Sequence, residues 1–257
     1  MLSKLLTLSL TLTLVTAHGK VTSITGDAGG NGTALAIQGG IVPNVGPNEK
    51  TEVDTTVFKS TDPLSDGLGK TTGGGKNKVN MVVEAMALSG PFLPQISTSN
   101  GTISGEFLIV TTDGAGPLSA VLDATATGKF SDGVLLRPVV QVPGNKGNID
   151  PPTKKKQNQN DEKRSLLSRA FESLKSKRGG AQNVNLTFPF KFAVPPGTVC
   201  NGTVAGMTGV CLVKIANSNK AGPFGGVVMV QQTAAENNVG KTQQQQCGER
   251  RRRDFKA

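Results

Sequence analysis

The 257-residue chain contains no tryptophan, no tyrosine and one histidine, His18; cysteine occurs three times and aromatics make up 4% of the sequence. A lone histidine excludes every metal site built on two imidazoles, including the paired-histidine helix of zinc proteases. It also leaves a Ser-His-Asp or Cys-His triad with no base but His18, near the start of the chain. The glycine pairs and runs at Gly29–Gly30 and Gly73–Gly75 precede no helical pattern, so neither reads as a phosphate cradle. With two ring types missing, a core must be filled by Val, Leu, Ile, Met and the ten Phe. Beyond the first seventeen residues no apolar run approaches the ~20 residues of a spanning helix, and no transmembrane segment is expected.

Those first residues have a clear order. Lys4 precedes a leucine-rich run from Leu5 to Val15, and Val15-Thr16-Ala17 supplies small residues for a cut. This predicts a signal peptide over 1–17, cleavage after Ala17, and a secreted, extracellular product that begins at His18. In that setting the four Asn-x-Thr sequons, at Asn31, Asn100, Asn185 and Asn201, become candidate glycosylation sites. Cys200 and Cys211 flank a glycine-rich stretch and read as one local disulfide closing a turn or hairpin, with Cys247 left over.

The net charge of +10 is unevenly placed. Residues 150–180 hold nine Lys/Arg against four Asp/Glu, and residues 241–257 hold six against two. Leaving out Lys4, the rest of the chain carries twelve of each sign. Basicity therefore belongs to an insert and a tail, and no nucleic-acid partner is expected. The insert 150–180 is poor in apolar groups and is expected to be disordered except over 165–178. There Leu166, Leu167, Ala170, Phe171 and Leu174 recur at helical spacing. Lys163-Arg164 and Lys177-Arg178 bracket that short helix, which makes Arg164 and Arg178 candidate processing sites; a plain solvated loop is the competing reading. The tail 241–257, with Arg250–Arg253, is expected to be disordered and basic.

Strand-like runs recur at 20–25, 34–37, 52–58, 79–88, 105–112, 119–127, 134–142, 184–194, 210–216 and 226–232, separated by turn residues. They predict a mostly β fold, a single immunoglobulin-like β-sandwich domain over 18–240 interrupted by the insert. In Asn183–Val194, Val184, Leu186, Phe188, Phe190 and Phe192 share one face, and Pro189 marks an edge strand.

One constellation points to chemistry. An N-terminal His18 would offer an α-amine and an imidazole nitrogen to one metal ion, the start of the copper site of secreted polysaccharide monooxygenases. Those enzymes add a second histidine, which this chain lacks. What remains is a partial copper site of His18 with a carboxylate such as Asp113. The simpler reading is that His18 merely follows the cut and that no cofactor is bound. No catalytic residues are singled out, because nothing distinguishes a pair among the remaining carboxylates.

Several phrases occur in order: His18-Gly19, Gly26-Asp27-Ala28-Gly29, Asp54-Thr55-Thr56, Asp113-Gly-Ala-Gly-Pro117, Leu122-Asp123, Cys200-Asn-Gly, Val210-Cys211, Gly222-Pro-Phe-Gly-Gly226 and Val230-Gln-Gln232. On these the chain resembles the fungal Egh-like virulence factors, secreted appressorium-associated proteins of the Mas/Gas type. Members typically carry more cysteines, one of them at the position of Val227, and often a histidine near Leu108. The resemblance implies an infection-stage role at the fungal surface or host interface. A non-enzymatic binding or effector role is expected, with cell-wall polysaccharide or a host surface component as partner. A copper-dependent oxidative enzyme acting on polysaccharide is the alternative.

Overall fold

The computed structural model describes residues 18–39, 52–151 and 181–233. The expected signal peptide with Ala17, the insert from residue 152 onward with Arg164, Arg178 and the Leu166–Leu174 stripe, Cys247 and the basic tail lie outside the described residues.

Among the described residues fourteen strands form one hydrogen-bonded sheet. They are β1 (Gly19–Gly26), β2 (Gly29–Gly32), β3 (Thr56–Val57), β4 (Lys70–Thr71), β5 (Gly75–Lys76), β6 (Gln95–Ile96) and β7 (Thr102–Thr111). Then follow β8 (Leu118–Asp123), β9 (Val134–Leu135), β10 (Arg137–Val140), β11 (Asn183–Ala193), β12 (Gly202–Val204), β13 (Met207–Asn217) and β14 (Phe224–Gln232). The order is β10-β11-β7-β1-β2-β6-β14-β13-β8-β9, with β12 added to β13 and a β3-β4-β5 ribbon added to β14. The β6/β14 pair is parallel and the other ladders are antiparallel, so the sheet is mixed.

The sheet doubles back on itself. Val21, Ile103, Phe107, Phe190 and Phe192 from β1, β7 and β11 share one buried cluster with Leu122, Cys211, Val213, Ile215 and Val228 from β8, β13 and β14. The two halves approach closely: a Cβ at Gly226 would lie 2.6 Å from that of Ala34 and 3.4 Å from that of Val21. The opposite face of β8, β13 and β14 carries a second cluster, in which Val121, Leu212, Val227 and Met229 meet Phe58, Val82, Leu93 and Phe130 from the covering segments. Strands β13 and β14 are thus covered on both sides, which is why Val210–Ala216, apart from Lys214, and Val227–Val230 read as apolar runs and not as alternation.

The mostly β expectation holds, with corrections. Residues 79–88, read as a strand, form a single 3₁₀ turn at Val79–Met81 and a helix, α1 (Val82–Ser89). Val82 and Ala85, three apart, face inward, while Ala, Met, Leu and Glu supply helix propensity; Gly90, at φ 118°, ends the helix. Residues 34–37 are a turn whose Leu35 N–H donates to the Val227 carbonyl at 2.8 Å. Of 52–58 only Thr56–Val57 pairs, and 134–142 divides into β9 and β10 around buried Leu136. Leu186 is 45% exposed, unlike Phe190 and Phe192, because Asn185 adopts a left-handed φ of 50° and the β7 ladder slips there. Pro189 sits beyond the end of β10, where β11 pairs with β7 alone among the described residues.

Candidate functional site

The start of β1 is fastened to the end of β7 and the loop after it. The His18 carbonyl accepts hydrogen bonds from the amides of Val110 (3.0 Å) and Thr111 (3.2 Å). The His18 N–H donates to Thr111 Oγ1 at 2.8 Å, and the Thr111 hydroxyl is in turn a partner of the Asp113 carboxyl. The two residues singled out in the sequence, His18 and Asp113, are therefore brought together through one hydroxyl. The imidazole lies against Phe224 of β14, with ring centroids 6.2 Å apart and planes at 29°. Burial pushes the Asp113 carboxyl above the usual carboxylate range, and Thr111 and His18 pull it part of the way back. Its Oδ1 is buried with no hydrogen-bond partner among the described residues.

Glycine makes this contact sterically possible. A Cβ at Gly114 would fall 1.9 Å from the His18 carbonyl oxygen, and one at Gly19 2.2 Å from that of Gly114. Two buried asparagines hold the loop from the other side. Asn217 donates to the Ala115 carbonyl at 2.8 Å and accepts from the Phe224 amide at 2.9 Å; Asn219 donates to the Asp113 carbonyl at 2.6 Å. The phrases Asp113–Pro117 and Gly222–Gly226, separated by about a hundred residues, thus meet at His18.

Two positions along β1, Lys20 enters a buried ion cluster. Its Nζ lies 2.7 Å from Glu52 Oε2 and 2.8 Å from Asp54 Oδ1, all three side chains being less than a tenth exposed. Burial alone would depress the Lys20 ammonium, but Asp54 and Glu52 outweigh it and hold its pKa above the ordinary value. Charge counting could not find this cluster, because its members are scattered among neutral-looking sequence. Lys214 is a different case, a lysine within the apolar run of β13. Its Nζ sits 4.8 Å from the Phe130 ring centroid and 5.6 Å from that of Phe58, and it donates to the Ser65 carbonyl. Burial lowers its pKa to about 8, against the opposing pull of Asp62 and Asp66. A charged residue inside a strand buried on both faces was the available signal.

The expected disulfide is present: Cys200 and Cys211 are bridged, with Cα atoms 5.1 Å apart. Asn31, Asn100 and Asn201 are exposed, whereas Asn185 is half-buried in the bulge of β11. Among the described residues no group of three or more His, Cys, Asp and Glu side chains is spaced to hold a metal ion. His18 and Asp113 alone do not make a complete copper site. No helix among the described residues is long and apolar enough to cross a membrane.

The Egh16-like virulence factor model matches residues 16–225, from the start of β1 into β14. The chain belongs to this family. The matched span of this Egh16-like protein includes the His18 contact, the Lys20 ion cluster and both asparagine clamps. It is 33% identical over 219 residues to the appressoria-specific virulence factor GAS1 of Pyricularia oryzae, covering 85% of this chain and 73% of the relative. It is also 31% identical over 140 residues to GAS2 of the same fungus, covering 54% and 38% of the two chains. No solved structure matches.

Proposed function

We propose that this Egh16-like protein is a secreted, virulence-associated protein that acts at the fungal surface or host interface, by binding rather than by catalysis. Family membership supports the virulence role, and the segment 1–17 supports secretion. The observation that carries the binding reading is where the fold puts its polar chemistry. His18, Glu52 and Asp54 are 4%, 1% and 2% exposed, so these clusters clasp strands and loops together and present little to a substrate. The doubling of the sheet around one core supports the immunoglobulin-like sandwich reading of the architecture.

Cleavage after Ala17 would turn the His18 N–H into an α-ammonium. That group would sit on Thr111 Oγ1, beside a carboxyl whose buried Oδ1 lacks a donor, a seat suited to a new chain terminus. The test is secretion from a fungal host, intact mass of the product, and retention on insoluble wall polysaccharides. The expected result is a chain beginning at His18, with added hexose mass, retained on at least one polysaccharide. An uncut chain, or one retained on none, contradicts the proposal.

The copper-dependent oxidative reading is favoured by one observation, the joining of His18 to Asp113 through Thr111. Copper titration of the mature protein and of His18→Ala tests it. Tight binding abolished by the substitution would favour this reading over the first.

A further inference from the structure

The β3-β4-β5 ribbon on the edge of β14 forms one wall of a groove of about 390 Å³. That volume falls within the ~300–1,000 Å³ typical of small-molecule sites. Three exposed lysines, Lys59, Lys70 and Lys76, border the groove. Two of them stand directly opposite each other: Lys70 pairs with Lys76 across the β4/β5 ladder. Like charges in that register repel, so the placement works against the fold unless something negative lies between them. Among the described residues the lining holds one carboxylate, Asp66, against the three lysines, and it accepts from the Ser131 amide at 2.8 Å and from the Ser131 hydroxyl at 3.3 Å. A fourth positive charge lies behind the lining, since Lys214 donates to Ser65 and sits against Phe58, both groove residues.

The lining also contains an unused acceptor. Asn77 is 7% exposed; its Nδ2 donates to Thr56 Oγ1 at 3.0 Å and to the Leu68 carbonyl at 3.1 Å. Its Oδ1 is buried with no partner among the described residues. Three surface cations call for an anion, and an unfilled acceptor calls for a hydroxyl or amide donor. A sugar acid carries a carboxylate and several hydroxyls on the same ring, whereas a phosphate monoester dianion has no donor to offer and inorganic phosphate has no ring of hydroxyls to place beside its charge.

We infer that this groove binds an acidic oligosaccharide of the uronic-acid type, with carboxylates on Lys59, Lys70 and Lys76 and ring hydroxyls toward Asn77. The inference rests on the binding reading proposed above and assigns that reading a place and a ligand class. The apolar lining supplies a surface for the ring faces, and the open shape admits a chain longer than the contacted sugars.

Calorimetry with the full-length secreted protein and a galacturonate trimer tests it, comparing wild type with Lys70→Gln/Lys76→Gln. Both positions are exposed, so the variant should fold, and relief of the opposed charges should leave its melting temperature equal or higher. The expected result is at least a tenfold loss of affinity in the variant and no heat with a neutral maltotriose. Inorganic phosphate and a short oligo-aspartate should bind much more weakly than the trimer. Equal affinity in the variant would place the glycan elsewhere and overturn this inference while leaving the binding function standing. Phosphate or oligo-aspartate binding as tightly as the trimer would overturn it in favour of a general anion or peptide site. No binding of the trimer or of any wall polysaccharide by wild type would remove both.

Discussion

Lys20 faces two carboxylates in a space that excludes most water, so its removal leaves uncompensated charge and not merely a missing contact. Lys20→Met should therefore cost about 3–5 kcal/mol at neutral pH, read from urea unfolding. A loss below 1 kcal/mol would mean that water reaches the carboxylates freely. Because the folded pKa of Lys20 is raised, its contribution is fully present below the unfolded value of 10.5 and is lost only as pH climbs through the folded value. Lys214 has the opposite sign. Burial lowers its folded pKa to about 8, so between there and 10.5 the unfolded chain holds the proton more firmly. Stability should then rise with pH over that window. From pH 7 to pH 10 the wild type should gain stability relative to Lys214→Met; parallel pH curves for the two proteins would contradict the placement of Lys214. Neither lysine's role was legible in the sequence. Lys20 meets Glu52 and Asp54 only because β1 runs beside the segment before β3, a long-range pairing with no local pattern.

At the scale of elements, local patterns carried most of the information wherever a strand had one wet face or a marked end. Strands β1, β7, β11, β13 and β14 were legible from apolar and β-branched runs bounded by turn residues. The run at 79–88 was not, because a short apolar segment looks alike as a buried strand or as a helix against a core. The Leu186 error has a different origin: a one-residue bulge at Asn185 shifts pairing, and no side-chain pattern announces it. The β12/β13 hairpin contains a testable mismatch. Its two-residue turn places both Ala205 (φ 49°) and Gly206 (φ 81°) in the left-handed region. Alanine is strained there, whereas Asn-Gly suits the geometry. Ala205→Asn should stabilise the protein by about 0.5–1 kcal/mol in thermal unfolding; a destabilisation would show that the turn differs. The adjoining disulfide closes a loop with a sequence separation of 11, so Cys200→Ala/Cys211→Ala should cost about 2–3 kcal/mol.

Over the whole molecule, the sequence divides its charge between parts. The basic insert and tail account for most of the +10, and both lie largely or wholly outside the described residues. Within the described sheet, positive charge is instead concentrated locally, around Lys59, Lys70 and Lys76. The neutral total over the rest of the chain hid that groove, because opposite charges elsewhere cancel it in a sum. The pairing of His18 with Asp113 was anticipated as a metal-ligand pair; the geometry adds Thr111 between them, with Phe224 and two asparagines around the contact. Those partners come from β7, the end of β13, the turn after it and β14, so only the folded sheet assembles them. The proposed function requires that the mature protein bind polysaccharide without breaking it. The most direct measurement is incubation of the secreted protein with plant and fungal wall polysaccharides, with copper and a reductant, followed by mass spectrometry of the soluble fraction. Protein retained on the solid with no new oligosaccharides in solution is the predicted result. Soluble hydrolysed or oxidised fragments that disappear with His18→Ala would contradict it.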